Sequence, residues 1–241
     1  MSKVLALCLD DGHGQETAGK RSNITGMREN TFNRAVVGYM KSMCEANGIL
    51  YKEVAPGDTD VPLETRAKTA NDWYTSLQKQ YGNDLICWYL SVHANAGGGY
   101  GTEVWVHSTA IKEIQEVAGK VCAAVSALTG KNRGVKKGYP GDSSANFYVN
   151  RATNMYSMLI EHAFMDTEKD AKLLMEESFR KSCAAADLKA VCDYYGIPFD
   201  AEKGQGSTPQ PEPPKPSLPT YSYKTGEYEI ICGSLNVRTG A

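Results

Sequence analysis

Residues 4–14 read Val-Leu-Ala-Leu-Cys-Leu-Asp-Asp-Gly-His-Gly, an apolar run that ends in two carboxylates, a glycine and a histidine. The run over 4–9 has the length of a strand and contains no polar side chain, which is typical of a strand buried on both faces of a sheet. Ligands in open α/β sheets bind at the carboxyl ends of the strands. The stretch therefore predicts a central strand of an α/β fold and a functional edge at His13.

The rest of the first 200 residues alternates between strand-like and helix-like segments. Short apolar runs predict further strands over 49–54, 85–92, 102–107 and 155–161. Apolar residues at helical spacing predict helices over 29–47, 63–81 and 111–128, and a helical region from the capping-box sequence Thr-Glu-Lys-Asp at 167–170 to residue 195. Strands that alternate with long helices need crossover connections. We therefore expect a mostly parallel, twisted sheet of about six strands with helices on both faces.

Four residues with metal-binding or proton-transfer chemistry fall at the predicted functional edge. His13, His93 and Glu161 lie at strand ends, and Glu29 opens the first helix. Each has a simpler explanation when taken alone: a structural histidine, a surface carboxylate, or a carboxylate that complements a helix dipole. Together, two histidines and a carboxylate are the ligand set of a catalytic zinc ion, with a fourth position left for water. A further carboxylate would then serve as the base, so the set indicates a metallohydrolase.

The same residues lie in motifs that resemble those of the zinc-dependent N-acetylmuramoyl-L-alanine amidases of the amidase-3 type, enzymes of bacterial cell-wall remodelling and phage lysis. In chain order the motifs are Asp-Asp-Gly-His-Gly at 10–14, Gly-Met-Arg-Glu-Asn-Thr-Phe-Asn at 26–33, Asp-Thr-Asp-Val-Pro-Leu-Glu-Thr-Arg-Ala-Lys-Thr-Ala-Asn at 58–71, Ser-Val-His-Ala-Asn-Ala at 91–96, Gly-Thr-Glu-Val-Trp-Val at 101–106, Arg-Gly-Val-Lys at 133–136 and Leu-Ile-Glu-His-Ala-Phe-Met-Asp at 159–166. By position, the resemblance implies that His13, Glu29 and His93 bind Zn²⁺ and that Glu161 is the catalytic carboxylate.

Two positions depart from the pattern of that family. Asp11 stands where the family usually has proline, and His162-Ala163 replaces the more usual residue-glycine pair after the catalytic glutamate. Because neighbouring side chains of a strand point to opposite faces, we expect His162 to point away from Glu161.

The resemblance implies a peptidoglycan hydrolase that cleaves the amide bond between N-acetylmuramic acid and L-alanine of the stem peptide, with peptidoglycan as its partner. Two alternatives remain open from the sequence. One is a zinc carboxypeptidase or endopeptidase that acts within the stem peptide, and the other is a non-catalytic protein that binds the cell wall.

Composition limits the other classes of function. The chain has 26 basic and 28 acidic side chains and a net charge of −2, which argues against binding nucleic acid through bulk charge. No apolar stretch has the ~20 residues of a membrane span, and the first apolar run is too short for a signal peptide. We expect synthesis in the host cytoplasm and action on the wall after release.

Of seven cysteines, six lie in apolar segments and are predicted to be buried thiols.

The last forty residues differ in composition from the rest. Six of the ten prolines fall between Pro209 and Pro219, which is typical of an extended spacer. Beyond it, Leu-Asn-Val-Arg-Thr-Gly at 235–240 resembles the opening strand of bacterial Src-homology-3-type barrels. We predict a zinc amidase catalytic domain over 1–200, a linker over 201–220 and, over 221–241, part of a truncated wall-binding barrel with a β-like start. Catalytic domain, linker and wall-binding barrel is the arrangement of phage endolysins.

Overall fold

A computed structural model describes residues 3–139 and 146–204, which belong to one compact unit of the chain. The predicted wall-binding segment and almost all of the predicted linker lie outside the described residues. Within the described residues, no helix is long and apolar enough to cross a membrane.

Six strands form one sheet with the order β2-β1-β3-β6-β4-β5. They are β1 Val4–Asp11, β2 Leu50–Glu53, β3 Leu85–Asn95, β4 Thr102–Val106, β5 Asn132–Lys137 and β6 Tyr156–Phe164. All neighbouring pairs are parallel except β4 and β6, which are antiparallel. The predicted α/β fold with a mostly parallel sheet of about six strands is confirmed.

Helices cover both faces of this sheet, as predicted. They are α1 Glu29–Asn47, α2 Leu63–Tyr81, α3 Lys112–Thr129, α4 Tyr148–Ala152, α5 Glu168–Met175 and α6 Glu177–Tyr195. Helices α1, α3 and α6 pack on one face and supply the larger core cluster. Helices α2 and α4 pack on the other face, over a smaller cluster.

Strand β1 shows why an uninterrupted apolar run predicts this arrangement. Leu5, Leu7 and Leu9 belong to the larger cluster, whereas Ala6 and Cys8 belong to the smaller one. Because alternate side chains reach opposite faces, a strand covered by helices on both sides needs apolar residues at every position. The six cysteines predicted to be buried are all buried free thiols.

Four details differ from the prediction. Strand β5 and helix α4 were not predicted, and the helical region after residue 167 is two helices that meet at Glu176. The capping box is wrong, because the Thr167 side chain donates to the carbonyl of Gly99 and not to its own helix. The Asp170 carboxylate accepts instead from the backbone N–H groups of Gly101 (2.8 Å) and Phe164 (3.1 Å). Tertiary partners thus replace the local cap.

Candidate metal centre

The four residues singled out from the sequence meet at one edge of the sheet. His13 follows β1 by two residues, and Glu29 is the first residue of α1. His93 lies in β3 and Glu161 in β6, and the two are directly paired across these parallel strands. Both lie inside their strands, since β3 and β6 run three residues further than predicted, to Asn95 and Phe164.

His13, Glu29 and His93 form a cluster whose ligand atoms all lie within 4.8 Å of one another. Glu29 Oε1 is 3.0 Å from His93 Nδ1 and 3.5 Å from His13 Nε2. Two ligands that each lie ~2.1 Å from a tetrahedral zinc ion are ~3.4 Å apart. The second carboxylate oxygen of Glu29 is buried and has no hydrogen-bond partner in the part of the chain that the structure describes, with Lys20 Nζ at 3.4 Å. The spacing and donor types therefore fit a metal ion held by these three residues.

The turn that carries His13 is held by amide side chains of α1. His13 has a φ of 67°, which is uncommon for a residue with a side chain and recurs at functional sites. Asn30 Nδ2 donates to the carbonyl of His13 across 2.9 Å, and Asn33 Nδ2 donates to that of Gly12 across 2.9 Å. Both amides are buried. The start of α1 thus supplies one candidate ligand, Glu29, and also fixes the turn that presents another, His13.

Gly12 is the residue that lets β1 approach the second histidine. A Cβ atom at Gly12 would lie 2.1 Å from His93 Cε1 and 2.4 Å from Nε2, far inside contact distance. No residue larger than glycine therefore fits beside the His93 ring.

Burial and mutual charge set the protonation of the three residues. Burial lowers the pKa of His13 to about 4, so this ring is neutral near pH 7 and free to bind a cation. Burial opposes ionisation of Glu29, but the hydrogen bond to His93 and the neighbouring charges lower its pKa to about 2. Burial likewise opposes protonation of His93, but its hydrogen bond to Glu29 and the carboxylates around it raise its pKa. The cluster thus places one ionised carboxylate, that of Glu29, next to the imidazole rings of His13 and His93.

Glu161 lies beside this cluster. Its Oε2 atom is buried and has no hydrogen-bond partner among the described residues. Burial, together with the charge of Glu29, raises its pKa to about 7, although His93 opposes the shift. A carboxylate with this pKa can both take and return a proton near neutral pH.

Glu103 is a site residue to which the sequence assigned no role. It is paired with Glu161 across β4 and β6, so that His93, Glu161 and Glu103 form one row across three strands. Its carboxylate accepts hydrogen bonds from Arg133 Nε (2.7 Å), Asn95 Nδ2 (3.0 Å) and Trp105 Nε1 (3.1 Å). These bonds lower its pKa against the effect of burial. The available signal was an acidic residue inside an apolar strand, which requires buried partners.

A pocket of about 460 Å³ opens beside the row. Its lining includes the polar residues His13, Lys20, His93 and Glu161 and also residues 61–63 and 147–149, most of which are apolar. A substrate with a polar reacting bond and apolar neighbouring groups fits this mixed lining.

Comparison with known proteins places this site in a family. Residues 7–193 match the family model described as N-acetylmuramoyl-L-alanine amidase, of the amidase-3 type. The chain belongs to this amidase family. It is 28% identical over 204 residues to the sporulation-specific N-acetylmuramoyl-L-alanine amidase of Bacillus subtilis, covering 83% of this chain and 72% of the relative. It is also 28% identical over 221 residues to the endolysin of Bacillus phage SPP1, covering 90% of this chain and 73% of the endolysin.

Solved structures of amidases have the same fold. The catalytic domain of the amidase CwlV from Bacillus (Paenibacillus) polymyxa aligns with a TM-score of 0.65 at 25% identity, over 81% of this chain and 99% of that one. An amidase from Clostridium difficile 630 aligns with a TM-score of 0.67 at 22% identity, over 81% of this chain and 98% of that one.

Both residues that depart from the expected family pattern are buried, and each has a charged or titratable partner. His162 points away from Glu161, as predicted: it is fully buried, with Nε2 2.9 Å from Asp187 Oδ2 and Nδ1 3.2 Å from the carbonyl oxygen of His93. Asp11 is also fully buried and accepts from Arg34 Nε across 2.9 Å. Asp11 thus joins β1 to α1 through an ion pair.

Proposed function

We propose that the chain is a zinc-dependent peptidoglycan hydrolase that cleaves the amide bond between N-acetylmuramic acid and the L-alanine of the stem peptide. The observation that carries the proposal is the cluster of His13, Glu29 and His93 with Glu161 in register beside it. Membership of the amidase family supports the choice of bond.

The metal would be held by His13, Glu29 and His93. Two imidazoles and one carboxylate are a known ligand set of catalytic zinc, and they leave one position for water or substrate. When bound, zinc polarises a carbonyl oxygen and lowers the pKa of water towards about 7. The neutral His13 ring and the ionised Glu29 carboxylate are the forms that bind such a cation.

Glu161 acts as the general base and then as the general acid. Its carboxylate accepts a proton from the attacking water, and it delivers that proton to the departing nitrogen of L-alanine. The Oε2 atom is the site that takes the proton, because no group of the described residues forms a hydrogen bond with it. A pKa of about 7 suits both halves of the cycle near neutral pH.

The biological setting that we propose is lysis of a bacterial cell by a phage, with peptidoglycan as the macromolecular partner. Similarity to the endolysin of phage SPP1 over 73% of its length supports this setting. The proline-rich stretch and the barrel-like sequence at 235–240 support a spacer and a wall-binding segment after the catalytic domain of residues 1–200. Action on the wall would then follow release from the cytoplasm.

Muropeptide analysis of digested peptidoglycan tests the proposal. Purified peptidoglycan should yield free lactyl carboxylates on muramic acid and new L-alanine amino termini. A chelator should abolish both products, and added zinc should restore them. New amino termini further along the stem peptide would indicate an endopeptidase instead. Binding to peptidoglycan without any product would indicate a non-catalytic wall protein.

A further inference from the structure

A chain of buried hydrogen bonds leads from His93 into the core. His93 Nε2 lies 3.1 Å from Ser91 Oγ, while Nδ1 faces Glu29. Ser91 Oγ donates to Asp10 Oδ2 across 2.6 Å. Ser91 and His93 are two apart in β3 and share a face, and Asp10 is the direct partner of Ser91 in β1. The register between the two strands therefore builds the chain.

Arg66 of α2 fixes the far end of this chain. The residue is 1% exposed, and its Nη1 donates to Asp10 Oδ1 across 2.5 Å. Its Nε donates to the carbonyl of Val61 across 2.7 Å, and its Nη2 to Asp60 Oδ1 across 2.9 Å. A guanidinium group only donates. Asp10 therefore accepts on both of its oxygens, from Arg66 on one and from Ser91 on the other.

The direction of these bonds decides where the proton of His93 lies. A serine hydroxyl has one proton, and Ser91 donates it in the hydrogen bond to Asp10. Towards His93, Ser91 can therefore only accept, so Nε2 must carry the ring proton. We propose that Ser91 and Asp10 are positioning residues of the metal centre: they hold the proton of His93 on Nε2 and leave Nδ1 as the nitrogen that binds the metal. This inference rests on the metal site of the proposed function.

The surroundings of Nδ1 agree with this assignment. Nδ1 lies 3.0 Å from Glu29 Oε1, and without a metal this contact is a hydrogen bond from a protonated Nδ1. Once that proton has left, the ring nitrogen and the carboxylate oxygen bring two lone pairs together. Such an arrangement is stable when a cation lies between them. Metal-binding histidines commonly donate their other ring N–H to a neighbouring acceptor, which fixes the tautomer. Here that acceptor is a hydroxyl whose own orientation is set by a buried ion pair.

Asp10→Asn tests the direction of the chain with little change in shape. The amide oxygen must face Arg66, which only donates, so the amide NH₂ faces Ser91. Ser91 then accepts from that NH₂ and donates its own proton to His93 Nε2. The ring proton moves to Nδ1, where the metal should bind. Ser91→Ala is a smaller change that simply removes the acceptor. The control is Ser157→Ala, a buried serine of β6 that bonds the carbonyl of Asn150.

Two readouts decide the outcome. Nitrogen-15 NMR of the zinc-loaded protein with labelled histidine reports which ring nitrogen carries the proton and which binds the metal, and the chain has only four histidines. We expect the His93 proton on Nε2, with Nδ1 bound to the metal, in the parent and in Ser157→Ala. Competition with a chelating dye should show zinc Kd raised by about 10- to 100-fold in Asp10→Asn and Ser91→Ala, and unchanged in Ser157→Ala.

Several results would overturn the inference. One is a zinc-loaded parent with the His93 proton on Nδ1, and another is parent-like zinc affinity in both Asp10→Asn and Ser91→Ala. If thermal unfolding shows that Asp10→Asn does not fold, the affinity of Ser91→Ala decides. A parent that binds no zinc would refute the proposed metal centre itself, and this inference with it. A parent that binds zinc as tightly as both variants refutes only the role of Ser91 and Asp10.

Discussion

Replacing Gly12 by alanine is the sharpest test of how the metal centre is packed. Gly12 does not have a positive φ, so alanine adds no backbone strain at this position. Its Cβ would lie 2.1 Å from His93 Cε1. Ordinary carbon contacts are about 3.5 Å, so the ring would have to move by roughly 1.4 Å. That movement takes His93 out of reach of Glu29 and Ser91.

The expected loss follows from this displacement. A shift of about 1 Å in a reacting geometry costs about 10²-fold in rate, so Gly12→Ala should reduce peptidoglycan hydrolysis at least that much. Overpacking costs about 1–3 kcal/mol, less than the total stability of a typical domain, which is about 5–15 kcal/mol. The variant should therefore stay folded but bind zinc substoichiometrically.

The assay combines zinc content, thermal unfolding and dye release from labelled peptidoglycan. Gly119→Ala is the matched control, because a Cβ there would find its nearest neighbour, Val135 Cγ2, at 4.0 Å. That control lies inside α3 and should gain up to about 1 kcal/mol. Parent-like zinc content and activity in Gly12→Ala would show that His93 is not packed against β1 as described.

Four further predictions follow from the site and the end of the described chain. Glu161→Gln should bind zinc and unfold like the parent but lose activity by about 10²-fold or more. Glu29→Gln should instead weaken zinc binding, because an amide is a poorer ligand than a carboxylate. The opposite pattern in a zinc titration would mean that the roles of the two residues are reversed. Hydrogen bonds from Arg133 and its neighbours lower the pKa of Glu103, so its ionised form stabilises the fold above its unfolded pKa of about 4.3 and loses this effect as pH falls. The difference in Tm between the parent and Glu103→Gln should therefore be present at neutral pH and close in acid, and a constant difference would contradict the assignment. A chain ended after residue 204 keeps the hydrogen bonds between Asn47 and the backbone of Asp200. It should therefore fold and cleave soluble muropeptides at the parent rate. If this shortened chain does not fold, the domain boundary lies elsewhere.

The parts of the fold that the sequence predicted are those whose signal is local. Apolar runs identify β1, β3 and β6, because these strands are buried on both faces. Strand β5 lies at the edge of the sheet and is only partly buried, and its sequence Asn-Arg-Gly-Val-Lys-Lys has a single large apolar residue. With one large apolar residue there is no apolar periodicity, so the sequence of this stretch does not distinguish an edge strand from a loop.

The reversed direction of β4 could be predicted from the length of the loop before it, although not from the order of strands and helices. Only six residues, 96–101, separate β3 from β4. A parallel crossover needs a dozen or more residues. The short connection therefore requires β4 to run opposite to β3, and it pairs antiparallel with β6, which lies between them.

The same distinction between local and distant signals applies to the residues of the candidate site. His13, Glu29, His93 and Glu161 were predicted because each lies in a short motif next to the start of a helix or the end of a strand. The partners that hold them are distant in sequence: Ser91 and Asp10 are 81 positions apart, and their contact depends on the register of two strands. A sequence pattern shows that a residue is polar and buried, but it does not show which partner satisfies it.

The position of β6 has a consequence for how the enzyme comes into being during translation. This strand is the last of the six in the chain, yet it lies between β3 and β4. The first five strands therefore cannot join into one sheet until residues 156–164 have emerged from the ribosome. Pairings between such distant segments form slowly, because the loop entropy must be overcome before the contacts stabilise the fold. The carboxylate that we propose as the base is carried by this final strand, so a nascent chain gains its full catalytic set only when the sheet itself is complete.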